Sequence, residues 1–186
     1  VQTCALPIWS ARSITDRTSE YIKRCFEHFD YTNYLNLRLK VATIPNHPLN
    51  VERVHSLLKE LQLPDRERSW TMPITDLTRY EDENTVNDII RWAFRVPLDR
   101  LSDEQAWLVA LFLSWLLGTN FRLLRLRASR ALIRVLLGRC HLVERLLDEF
   151  HGCNDPYIVE RVYAAACGVA LRVDDKKALS SLARKV

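Results

Sequence analysis

The sequence predicts an all-α chain, an irregular α-solenoid of stacked helices, on three observations. Residues 102–173 read as three consecutive helices, each with a start signal and a wide apolar face. Only four glycines occur in 186 residues, too few for the turns of a β-sandwich or barrel. Helix pairs separated by short breaks recur about every 30 to 45 residues, without an exact repeat. The length suits one ordinary domain with a contiguous core. A composition 48% hydrophobic and 27% charged is that of a globular chain, not a disordered one.

The elements follow in order. Residues 13–29 carry Tyr21, Ile22, Cys25, Phe26 and Phe29 at helical spacing, which predicts an amphipathic helix. Residues 35–41 alternate apolar and polar as a strand would, yet they are rich in leucine, arginine and lysine, and a lone strand has no partner. We read them as helix. Pro45 and Pro48 mark a break. Asn50 then caps a helix through Gln62 with Val51, Val54, Leu58 and Leu61 inward. Pro64 is expected to end it, and residues 64–81 to form the longest irregular stretch, with Trp70 and Tyr80 packing it down.

Asp82 to Phe94 returns to helix with Val86, Ile89, Ile90 and Ala93 inward, and Pro97 closes it. Ser102 to Gln105 fits a capping box, and Gly118 fits a left-handed C-terminal stop. The run Ala106–Leu117 is too short to span a bilayer and suits a buried helix. In the next helix Leu124, Ala128, Ala131, Leu132, Val135 and Leu136 form one face, and Arg127, Arg130 and Arg134 the opposite stripe. Gly138 ends it. A short helix over residues 141–150 buries Leu142, Val143, Leu146 and Leu147. The last long helix, Pro156 to Val173, starts on a proline whose missing N–H is harmless there. Its apolar length predicts a central position, and Ala164, Ala165, Ala166 and Gly168 admit a close neighbour. Asp174 and Asp175 open a further helix with Ala178, Leu179, Leu182, Ala183 and Val186 on one face.

Residues 1–8 match the translation of a short-read sequencing adapter and are excluded from the fold reading. Residues 9–186 are then expected to be a single HEAT-like helical fragment of a longer protein, cut at both ends. Five scattered cysteines argue against a disulfide framework and for a reducing cytoplasm.

Between Thr119 and Val143 stand six arginines and no acid, so the net charge of +4 is local to one segment. The stripe Arg127, Arg130 and Arg134 is the candidate interaction face. Such a face binds nucleic-acid phosphates or an acidic partner, or is simply solvated and paired with Glu144, Asp148 and Glu149. The second reading is preferred, since no aromatic residues for base stacking are interleaved with the arginines. Cys140, His141, His151 and Cys153 lack the paired spacing of a zinc site, and no metal is assigned. His55 reads as a packed or edge histidine, and Trp92, Trp107 and Trp115 as core. Neither a nucleophile elbow nor a glycine-rich phosphate loop is present, so no catalytic residue and no cofactor is assigned.

Four strings carry a resemblance: His47–Asn50 with Val54 and His55, then Leu63–Trp70, then Leu124–Leu132, then Asn154–Gly168. In this order they resemble the helical region downstream of the NTPase in bacterial AVAST-type STAND proteins, the antiviral NACHT-like ATPases. The third string departs at one position, where Leu126 stands for the family's aspartate. The resemblance implies a non-catalytic scaffold or sensor segment. Its partners would be sibling helices or a viral protein, and the ATP site would lie in another part of the parent. The alternative is a nucleic-acid-binding HEAT-like module working through the arginine-rich helix.

Overall fold

Eleven consecutive residues, Ala106–Leu116, are buried on every side of one helix. The rest of the architecture is arranged around it. The computed structural model describes residues 14–18, 20–21, 24, 31–80 and 83–185, with only the backbone at residues 31–33 and 80. The expectations for residues 1–8, for most of the 13–29 helix, for Asp82 and for Val186 lie outside the described residues. Of the first predicted apolar face only Tyr21 is described, and it is exposed, which corrects its inward placement.

Among the described residues, ten α-helices with defined bounds follow in order: α1 Tyr31–Val41, α2 Val51–Glu60, α3 Leu63–Arg66, α4 Met72–Tyr80, α5 Thr85–Arg95, α6 Asp103–Leu116, α7 Arg122–Leu136, α8 Cys140–His151, α9 Pro156–Ala170 and α10 Lys176–Leu182. A π-helical turn, Glu67–Thr71, joins α3 to α4, and a 3-10 turn, Leu98–Arg100, precedes α6. No strand occurs among the described residues, so residues 35–41 are helix. No helix among them is long and apolar enough to cross a membrane. Helix α6 packs against α2, α5, α7, α8 and α9.

Start signals work as their chemistry requires. Asn50 accepts from the Glu52 N–H, Asn84 from Asn87, Ser102 from Gln105, and Asp175 from Lys177. Asp155 accepts from both Tyr157 and Ile158 ahead of Pro156. Ser114 lies inside the apolar run of α6, and its hydroxyl donates to the Ala110 carbonyl at 2.8 Å, so no polar group is stranded there.

Several expectations are corrected. Residues 64–80 are not irregular but nearly continuous helix, and residue 81 lies outside the described residues. Pro64 falls in the first turn of α3, where an N–H is not needed. Pro73 follows the π turn, whose widened bond from the Met72 N–H to the Glu67 carbonyl makes room for a residue that cannot donate. Trp70 is buried, as expected, but on a helix. Its indole N–H donates to the Trp115 carbonyl at 3.1 Å.

Helix α9 is not central. Ala164 and Cys167 face solvent, and α6 occupies the centre instead. Trp92 is exposed, off the Val86–Ile89–Ile90–Ala93 stripe, whereas Trp107 and Trp115 are core. Gly118 does not sit at positive φ. It is small because a Cβ there would stand 2.9 Å from Ile158 on α9. Gly168 likewise admits Ile133 of α7.

Gly138 is the glycine with a left-handed backbone, at φ 74, and nothing lies near its missing Cβ. Gly152 is equally open but has φ −93. Gly138→Ala is therefore expected to cost about 1 kcal/mol through backbone strain alone. Gly152→Ala should be neutral or stabilise by up to about 1 kcal/mol. Urea unfolding of both variants checks the contrast.

Candidate functional site

One face of α2 presents Glu52, His55, Ser56 and Lys59 at helical spacing beside its buried stripe. With Trp107 and Leu111 of α6 and Arg145 and Glu149 of α8 they line an open cleft of about 380 Å³. Its histidine, His55, is buried against Phe150 and Trp115. The Trp115 indole N–H donates to His55 Nδ1 at 3.0 Å. An indole N–H can only donate, so Nδ1 carries the lone pair and the ring proton sits on Nε2. That proton is donated to Glu149 Oε2 at 3.2 Å, and Lys59 Nζ donates to the same oxygen at 2.9 Å.

Charge follows this geometry. Burial pushes the His55 imidazolium below the ordinary imidazole range, overcoming the attraction of Glu149. The Lys59 hydrogen bond holds the Glu149 carboxyl below its usual range, against partial burial. Nearer solvent, Trp107 donates to Glu52 at 3.1 Å, and Arg145 stacks on the Trp107 ring at 3.8 Å. Both His55 nitrogens are engaged, and the Ser56 hydroxyl donates to the Glu52 carbonyl. The cleft is a polar bridge between α2, α6 and α8 in which the histidine and the hydroxyl are both engaged.

The arginine stripe divides. Arg127 and Arg130 are exposed on α7. Arg134 instead donates to the Ala93 and Val96 carbonyls at 2.7 and 2.8 Å, closing the C-terminal end of α5. Arg139 donates to the Leu98 and Leu101 carbonyls and pairs with Asp103, and Arg125 donates to the Thr119 carbonyl. The acids expected to pair with the stripe are directed elsewhere: Glu149 meets Lys59 and His55, and Asp148 meets Lys185. Glu144 makes no ion pair among the described residues. That pairing is thus corrected, because α8 turns these carboxylates away from α7.

Two leucines missing from the predicted apolar face complete the outer surface of α7. Leu123 and Leu126 are 44% and 45% exposed, between Arg122, Arg127 and Arg130 on the helix. An aspartate at 126 would stand four residues from both Arg122 and Arg130, at ion-pairing distance along a helix. Leu126 leaves both arginines without it. Tyr157, at the start of α9, lies beneath the guanidinium groups of Arg125 and Arg161, at 5.8 and 4.9 Å from its ring centre. Arg125 and Arg161 lie outside the Arg127, Arg130 and Arg134 stripe, so this ring is not interleaved with the stripe itself. A cleft of about 310 Å³ runs between Arg122, Leu126, Ser129 and Arg161.

Cys140 and His141 begin α8, and His151 and Cys153 lie at its other end. No group of three His, Cys, Asp or Glu side chains among the described residues could hold a metal ion.

The chain matches no protein-family model, no curated protein and no solved structure.

Two outcomes follow. Arg134→Ala should cost about 2 kcal/mol by freeing two carbonyls from a charged donor, whereas Arg127→Ala should change stability by less than about 0.5 kcal/mol. His55 is held neutral in the fold, so its contribution is complete above the unfolded imidazole value of about 6.5 and is lost as pH falls below it. The melting temperature should fall as pH falls through that window. His55→Gln should flatten this slope and leave the further loss at lower pH that follows protonation of Glu149.

Proposed function

We propose that this chain is a non-catalytic helical scaffold that recognises a protein partner through the outer face of α7. The observation that carries this reading is the pairing of exposed Leu123 and Leu126 with Arg122, Arg127 and Arg130 on one well-packed helix. Exposed apolar side chains beside arginine suit an interface more than a solvated face. Leucine gives a partner apolar area, and arginine gives directional hydrogen bonds to its carboxylates. The engaged histidine and hydroxyl of the polar cleft are in keeping with a scaffold.

We read the arrangement as an irregular HEAT-like stack, because α5 to α9 each pack on the next in sequence. By its resemblance to the helical region of STAND-type antiviral NTPases, the chain would be a segment of a larger cytoplasmic ATP-binding protein. Its partners would then be sibling helices and a viral protein. A second reading, binding of single-stranded nucleic acid, is favoured by one observation, the Tyr157 ring beneath Arg125 and Arg161.

One titration separates the two. A peptide helix presenting glutamate and leucine on one face should bind the chain and lose at least about tenfold in affinity, or 1.4 kcal/mol, to Arg127→Glu with Arg130→Glu. Single-stranded DNA and RNA should show no salt-dependent binding. Nucleic-acid affinity that falls steeply with salt and with the same substitutions would reverse the order of the readings. If neither ligand binds, α7 is not a recognition surface.

A further inference from the structure

We propose that the groove beside Arg38 binds an amphiphilic carboxylate, its head on the buried guanidinium and its alkyl chain along a leucine wall. Arg38 of α1 is only 7% exposed. Its Nη1 donates to the Tyr34 hydroxyl at 3.2 Å, and the guanidinium lies 5.5 Å from the Tyr34 ring centre. The remaining two nitrogens, Nε and Nη2, are buried and make no hydrogen bond. These two lie along one edge of the guanidinium plane. Together they form the parallel fork that a carboxylate accepts through both its oxygens.

The other buried arginine, Arg66, shows what a paired guanidinium looks like. Its one nitrogen without a hydrogen bond faces Asp155 at 3.7 Å. No carboxylate among the described residues stands at ion-pair distance from Arg38. A buried cation without an anion is costly, and the cost is relieved when one arrives.

The groove itself states the rest of the ligand. It encloses about 340 Å³, within the range of small-molecule sites. Leu35, Leu49, Val54, Leu57 and Leu58 line it, and Leu57 is half exposed on its outer side. Trp70 also lines it, with its N–H already committed to Trp115, so it offers the ligand only ring surface. Arg53, Glu20 and Glu60 are the exposed charges among the lining residues, and Glu20 pairs with Arg24. Acidic groups there disfavour a polyanion, whereas a single small head can pass them. One anionic group on an apolar chain meets all of these conditions.

The test is calorimetric titration of the whole chain with octanoate, 1-octanol and acetate, each below its solubility or micelle limit. Octanoate should bind on the order of tenfold more tightly than octanol, through the paired charge. Acetate should not bind measurably. Arg38→Met keeps most of the stem and removes the charge. It should abolish the preference for octanoate and raise the melting temperature of the free protein. Equal binding of octanoate and octanol would overturn the proposal by leaving only an apolar groove. So would failure of both to bind, or a lowered melting temperature in Arg38→Met, which would show the guanidinium to be satisfied by the fold itself.

Discussion

The buried guanidinium of Arg66 is the constraint on which the packing of this chain depends. It leaves the end of α3 and closes the preceding helix by donating to the Leu58 carbonyl at 2.9 Å and the Leu61 carbonyl at 2.8 Å. It also donates to the Asn154 side chain, faces Asp155, and lies over the Trp115 ring at 5.2 Å. Asp155 divides its two oxygens, one capping α9 and the other balancing Arg66. Helices α2, α3, α6 and α9 thus meet at one charged group. Two of the strings that carry the family resemblance, Leu63–Trp70 and Asn154–Gly168, meet there as well, so those residues serve the architecture.

The same device recurs at several other helix ends among the described residues. A helix C-terminus leaves four carbonyls without partners, and this chain has four glycines in all. Arg134 closes α5, Arg139 collects the carbonyls ahead of α6, Arg125 takes the one after it, and Arg172 donates to Gly168 near the end of α9. Much of the arginine content is therefore spent on backbone carbonyls. Among the described residues, Arg122, Arg127 and Arg130 on the surface of α7 cap no carbonyl, and Arg38 lies inside without an ion pair.

The helical class and the inward stripes were legible because a period of 3.6 residues is local information. The six apolar positions of α7 and the four of α5 are buried as their spacing implies. The segment from Leu63 to Tyr80 was misread because proline is ambiguous. At the first turn of a helix, or beside a widened turn, it breaks nothing. The place of α9 was misread because a run of alanine is apolar in composition and still has a solvent face. The candidate site was half legible. Spacing placed three arginines on one side of α7, but Arg134 bends to carbonyls 38 and 41 residues away, and no local pattern encodes that reach. Tyr157 beneath Arg125 and the Trp115–His55–Glu149 bridge join residues 32 to 94 positions apart, so they too exist only in the folded chain.

Equilibrium denaturation of Arg66→Ala tests the central claim most directly. Removing one partner of a buried, hydrogen-bonded charge frees the Leu58 and Leu61 carbonyls and leaves Asp155 uncompensated. A loss of about 3 kcal/mol or more is predicted, with Arg66→Lys recovering little of it because an ammonium lacks the planar fork. A loss below about 0.5 kcal/mol, the size of an ordinary surface substitution, would contradict the account.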